Sequence, residues 1–332
     1  MMFLIVIPII VVLRCPPQIR SRLRRAGVAV AVCASLAGAA ACGSDEGADG
    51  RPRVAVTTPM LGAVVADLVG DAAEVTVLMP NGVDPHDFQP SAKDVEAIGD
   101  ADLVVENGLD LEEGLEDALA GARDDGVAVF TATDHVALRE VSEGEAEHHE
   151  GGEEDHADSI EDPHIWMDPI AMRDVALALA PALATGLGLA LGDRAGDLGA
   201  RLDALDAELA RTLAAVPRDR RELVTGHESM GYLADRYGFE LVGALIPSLS
   251  SQAQASAEGL SELRDQVREA AVPVIFNEIG TPDGVADAIA DETGAGVVEV
   301  GTHTLPDDGS YFTFMREAAA AVADGLTAPA GR

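Results

Sequence analysis

The sequence predicts an α/β protein built as two (β/α)4-type lobes with parallel sheets, joined by a long rigid backbone helix. Three observations predict it. From Val54 onward, short apolar runs alternate with amphipathic ones. The apolar runs are mostly unbroken, as strands buried on both faces of a parallel sheet are. A leucine-striped segment near the middle of the chain separates one series of such runs from a second.

The first 42 residues lie outside that pattern. The apolar stretch MMFLIVIPIIVVLRCPPQ is followed by RSRLRR and then AGVAVAVCASLAGAAAC. A basic segment, an apolar segment and small residues before a cleavage point make a secretory signal. Cys42, directly after the alanines, resembles the lipidated cysteine of a bacterial lipobox, with Ala39 where a larger aliphatic residue is usual. The first apolar stretch falls short of the ~20 residues of a membrane-spanning helix. Residues 43–52, GSDEGADGRP, read as a flexible tether. Cys15, Cys33 and Cys42 are the three cysteines, so residues 43–332 hold no disulfide, cysteine zinc finger or catalytic thiol.

Residues 53–168 are expected to form the N-terminal lobe, with strands in VAVTT, EVTVLM, DLVVENG and VAVFTAT and helices starting near Met60, Ser91 and Leu111. Within this lobe, residues 142–162 form an acidic loop with His148, His149 and His156 and almost nothing to bury, expected to be mobile. Residues 169–215 are the linking helical region. Leu198, Leu202, Leu205, Leu209 and Leu213 make one apolar helical stripe there, and GLGLALGD divides its helix from the preceding one. Residues 216–328 repeat the first plan, with strands in ELVTG, ELVGALIP, VPVIFNE and GVVEVG and helices from near Glu228, Ser256, Pro282 and Ser310.

A formal charge of −36 with a single lysine, Lys93, lacks the basic stripe that nucleic-acid binding needs. The chemistry concentrates instead in histidines. His86 follows an Asp-Pro step in NGVDPHDFQPS, and His164 follows another in EDPHIWMDP. Proline stiffens each loop and so aims the imidazole. His227 follows the strand ELVTG. His86 and His227 thus stand beyond the carboxyl ends of strands in opposite lobes, where ligands of open α/β sheets bind. Three neutral imidazoles with a fourth position suit tetrahedral zinc. Trp166 is expected beside the site, and Asp84 and Asp168 either accept ligand N–H groups or cap turns. His135 and His303 have no motif around them and read as surface residues.

DPHDFQPS, PHIWMDP, GHESMGYLADRYG and GSYFTFMREAAAAV, in this order between Arg53 and Leu326, resemble the ZnuA-like (cluster A-I) solute-binding lipoproteins of bacterial zinc and manganese ABC importers. The resemblance implies a metal held between two lobes by His86, His164 and His227. A carboxylate near the last motif, Asp308, or a bound water would fill the fourth position. It implies zinc capture outside the membrane, an ABC permease with its ATPase as partners, a lipid anchor at Cys42 and a monomer. His148, His149 and His156 read either as part of a solvated linker or as a low-affinity zinc collector. Imidazole favours zinc where a carboxylate would favour manganese; Glu228, beside His227, keeps a manganese or iron reading open. A zinc hydrolase and a metal-dependent surface adhesin are the rivals from other classes. Affinity should fall as pH drops toward the histidine pKa of ~6.5.

Overall fold

The computed structural model describes residues 50–141, 160–282 and 284–328. Strands β1 (Arg53–Val56), β2 (Glu74–Val77), β3 (Leu103–Glu106) and β4 (Val129–Thr131) form a parallel sheet in the order β2-β1-β3-β4. Strands β5 (Glu222–Thr225), β6 (Glu240–Ala244), β7 (Val274–Asn277) and β8 (Gly296–Glu299) repeat that order as β6-β5-β7-β8, again parallel. Each strand lies in one of the apolar runs of the sequence, with β1 starting one residue ahead of its run, at Arg53. The inner strand β3 is buried throughout, whereas the edge strands β2 and β8 expose several positions. An edge strand has a neighbour on one side only and is less completely covered.

Helix α1 (Pro59–Val69) starts where the Thr58 hydroxyl accepts the Leu61 N–H and Pro59 fixes φ in the first turn. Helix α2 (Ala92–Gly99) opens with a reciprocal capping box between Ser91 and Asp94. Helix α3 (Glu116–Asp124) follows a short 3-10 turn, Glu113–Leu115, and does not begin near Leu111 as expected. Leu109 and Asp110 both have positive φ, 55° and 56°, which no right-handed helix accommodates.

The linking region holds α4 (Pro169–Gly186), capped by the Asp168 carboxylate, and α5 (Arg194–Leu213), which pack against each other. All five stripe leucines of α5 are buried. In the second half, α6 (Gly231–Tyr237) begins later than Glu228 because the Glu228 N–H is drawn to the Ser248 carbonyl of another loop. Helices α7 (Ala257–Glu269), α8 (Val285–Thr293) and α9 (Tyr311–Thr327) complete the chain.

Strand alternation sorts side chains into layers. Val54 and Val56 of β1 face an inner core, and Ala55 faces a smaller outer one with Val104 and Leu115. A second outer cluster holds Val224, Ile275 and Ile289. The inner core is continuous: it runs from Leu61 through the α5 leucines to Phe276, Phe314 and Leu326. Both sheets are therefore welded to the same pair of linking helices.

The acidic loop begins and ends on a defined base. The Val141 N–H donates to the Ile160 carbonyl and the Asp162 N–H to the Arg139 carbonyl, each at 2.9 Å. The last residues of the expected loop, 160–162, thus belong to a paired base. Residues 1–42 with Cys42, and His148, His149 and His156, lie outside the described residues.

Candidate metal centre

The chain delivers one histidine from each of four segments. His86 sits in the loop after β2, and His164 follows Pro163 just ahead of α4. His227 follows β5, and His303 follows β8. All four are buried, and one ring nitrogen from each lies within 4.8 Å of the others. Nε2 of His164 is 3.4 Å from Nε2 of His86 and 3.2 Å from Nε2 of His227. Among the described residues, Nε2 of His303 is buried without a hydrogen-bond partner.

Two carboxylates fix the rings. Asp162 Oδ1 lies 2.7 Å from His164 Nδ1 and accepts the His164 backbone N–H at 2.9 Å. Asp162 is itself fully buried and paired with Arg139 at 3.3 Å. Glu278, just beyond β7, accepts the His227 backbone N–H at 2.9 Å, and its Oε1 lies 3.2 Å from His227 Nδ1. The same carboxylate accepts the Ser229 hydroxyl at 2.6 Å and the Thr302 hydroxyl. His303 Nδ1 is 3.0 Å from Thr302 Oγ1. Each of these contacts occupies Nδ1 and leaves Nε2 turned to the common centre, the arrangement that fixes tautomer and orientation in metal sites.

The electrostatics follow from burial. Burial, helped by neighbouring His164 and His227, pushes His86 down to about 2. Burial and then His227 hold His164 and His303 well below the usual histidine value. His227 goes the other way: burial would lower it, but the Glu278 carboxylate outweighs that and raises it. Burial would raise Glu278 in turn, and His227 with its hydrogen bonds holds it far below the carboxylate range. Three imidazoles are thereby kept neutral, with a free lone pair.

His86, His164 and His227 converge as their loops suggested. Trp166 is fully buried, 5.2 Å from the His164 ring and 5.5 Å from the His303 ring, with its N–H on the Thr302 carbonyl. Asp84 accepts the His86 backbone N–H, and Asp168 caps α4. Two expectations need correction. His303 is not a surface residue but fully buried among the other three imidazoles. Asp308 is exposed and outside this group; its carboxylate is occupied by the Ser310 N–H and the Thr313 hydroxyl at the start of α9. His303 lies four residues past the end of β8, at the carboxyl edge of its sheet as His227 is, but no proline or motif around it fixes its loop.

Two parallel-sheet lobes on a shared core, with buried imidazoles converging from both, define a two-lobed metal-binding protein. The family described as zinc-uptake complex component A, periplasmic, matches residues 54–325, and the chain belongs to that family. The zinc-binding protein TroA of Treponema pallidum (strain Nichols) is 31% identical over 269 residues, covering 79% of this chain and 82% of that protein. The high-affinity zinc uptake system protein ZnuA of Bacillus subtilis (strain 168) is 33% identical over 232 residues, covering 69% and 71%. The solved structure of the periplasmic zinc-binding protein TroA from Treponema pallidum superposes with a TM-score of 0.70 at 25% identity, covering 84% of this chain and all of that one. Other matching relatives are named for iron or manganese instead.

Proposed function

We propose that this protein is the extracytoplasmic solute-binding component of a zinc ABC importer, capturing Zn²⁺ between its lobes and handing it to a permease driven by an ATPase. The observation that carries this reading is the spacing of the imidazole nitrogens. A tetrahedral zinc with Zn–N bonds of 2.0–2.1 Å separates its ligand atoms by about 3.3 Å. Two of the Nε2 separations are 3.4 and 3.2 Å, and the four ring nitrogens all lie within 4.8 Å of one another. The proposed ligands are His86, His164, His227 and His303, each through Nε2. This set needs neither Asp308 nor a water.

A ligand set of four imidazoles without a carboxylate favours zinc over the harder manganese. The family relationship supports the same choice. Four protein ligands close the site, whereas a zinc hydrolase keeps a position open for its water. Import needs the site outside the membrane, and the leader with Cys42 as lipid attachment supplies that address for a monomeric protein. Among the described residues no helix is long and apolar enough to cross a membrane.

The test is a competitive titration of metal-free protein, residues 43–332, against a calibrated chelator, with Zn²⁺ and Mn²⁺ in parallel. One tight zinc equivalent is expected, weakened by His227→Ala and retained after deletion of residues 143–159. Tight manganese with weak zinc would overturn the metal assignment. No tight metal at all would overturn the import reading.

A further inference from the structure

The four imidazoles are not held equally. His164 is fastened by Asp162, His227 by Glu278, and His303 by Thr302. His86 is fastened through its backbone N–H to Asp84 Oδ1 at 3.0 Å, while its ring, among the described residues, makes no hydrogen bond outside the imidazole cluster. It is also the most exposed of the four, at 6% against 0–1%. His86 lines two surface clefts, one beside Asp87 and Glu116, the other beside Pro163 and Leu249. Its loop, residues 78–91 between β2 and α2, contains no helix or strand.

Two side-chain clasps tie that loop to the opposite lobe. Asn81 Nδ2 donates to the Leu305 carbonyl at 2.8 Å, and the Leu305 N–H donates to Asn81 Oδ1 at 2.7 Å. This reciprocal pair engages the backbone just after His303. The second clasp runs from the Ser251 hydroxyl to Asp84 Oδ2 at 2.6 Å. It is made possible by Gly280, at φ +88°, where an added Cβ would stand 2.5 Å from that same oxygen.

We propose, on the zinc-capture reading above, that the His86 loop is the gate through which the metal leaves and that Asn81 is the positioning residue that holds it shut. The continuous inner core opposes wide separation of the lobes, so release must begin at the ligand whose ring is least held. That ligand is His86. Asn81 is itself exposed, so losing its two hydrogen bonds opens no cavity and leaves the apo fold intact. The side chain suits the task because its amide offers a donor and an acceptor side by side. Aspartate would keep the acceptor and lose the donor; alanine would lose both.

The experiment is stopped-flow release of zinc from the loaded protein into excess chelator, alongside association rates and the melting temperature of the metal-free protein. Loss of both hydrogen bonds in Asn81→Ala should speed release about tenfold. Asn81→Asp should fall between that variant and wild type, and Ser251→Ala should speed release about threefold. Association rates should change by less than about twofold, since clasp contacts act after capture. The apo melting temperature should not move. Wild-type release rates in Asn81→Ala would overturn the clasp while leaving zinc capture standing. Failure of the wild-type protein to bind one zinc tightly would overturn the capture reading itself.

Discussion

The partner of each imidazole's Nδ1 decides which nitrogen remains for a metal, and here a buried carboxylate faces two of the four. Asp162 reaches both the ring and the backbone of His164, a geometry made by the Asp-Pro-His sequence itself. Asp162→Asn and Glu278→Gln should each weaken zinc by about 10–100-fold, the usual cost of disturbing a ligand's orienting partner. His303→Ala should cost more than that, at least about 100-fold, because it removes a ligand and not only its support. Asp308→Ala should leave affinity unchanged, since its carboxylate only caps α9. Chelator competition on the four variants measures all of this, and wild-type affinity in His303→Ala would exclude a four-imidazole site. The Asp-Pro-His loops were legible in the sequence because proline restricts the backbone on the spot. His303 was not, because GTHT carries no local constraint. Its burial is created by Trp166 and the other three imidazoles, all from distant segments, and no spacing along the chain encodes those contacts.

At the scale of elements, the turn after β3 carries a further buried acid with structural consequences for the site. Glu112 accepts the Thr57 hydroxyl and the Asn107 N–H, each at 2.6 Å, and the Gly108 N–H at 3.2 Å. The Asn107 side chain in turn donates to the Pro163 carbonyl at 2.9 Å, setting the approach to His164. Burial raises Glu112 from 4.5 to about 7, against the opposing pull of those hydrogen bonds. A carboxyl raised in the folded state binds its proton more tightly folded than unfolded. Its contribution is therefore fully present below pH 4.5 and lost as pH rises through about 7. The loss is on the order of 3 kcal/mol. Denaturation midpoints of the metal-free protein between pH 5 and 8 should fall accordingly, and Glu112→Gln should flatten this slope. An unchanged slope in the variant would assign the effect to another group. Strand and helix positions were legible from apolar periodicity, whereas this turn was not. Leu109 and Asp110 leave the right-handed region to bring Glu112 inward, so a helix expected from Leu111 begins at Glu116.

For the whole molecule, the arrangement of the cores matters more than the number of lobes. Two sheets with separate cores would unfold separately and swing freely about their link. Here α4 and α5 are shared, and one apolar cluster runs from β1 to α9. The α5 helix spans about 30 Å at 1.5 Å per residue and packs against α1 of one lobe and α9 of the other, so its leucine stripe serves both lobes at once. Shared burial couples the lobes energetically, because unfolding one strips apolar cover from the other. Metal-free protein should therefore unfold in a single cooperative step, with Trp166 fluorescence and far-ultraviolet circular dichroism giving the same midpoint. Zinc in the proposed four-imidazole site would touch loops of both lobes, so it should stabilise that one transition as a unit. At free zinc 1,000 times the dissociation constant the gain is about 4 kcal/mol. Two separated transitions, or a zinc-induced shift confined to one probe, would mean that the lobes are thermodynamically independent. The gate would then no longer need to be a loop, since a free hinge could release the metal instead.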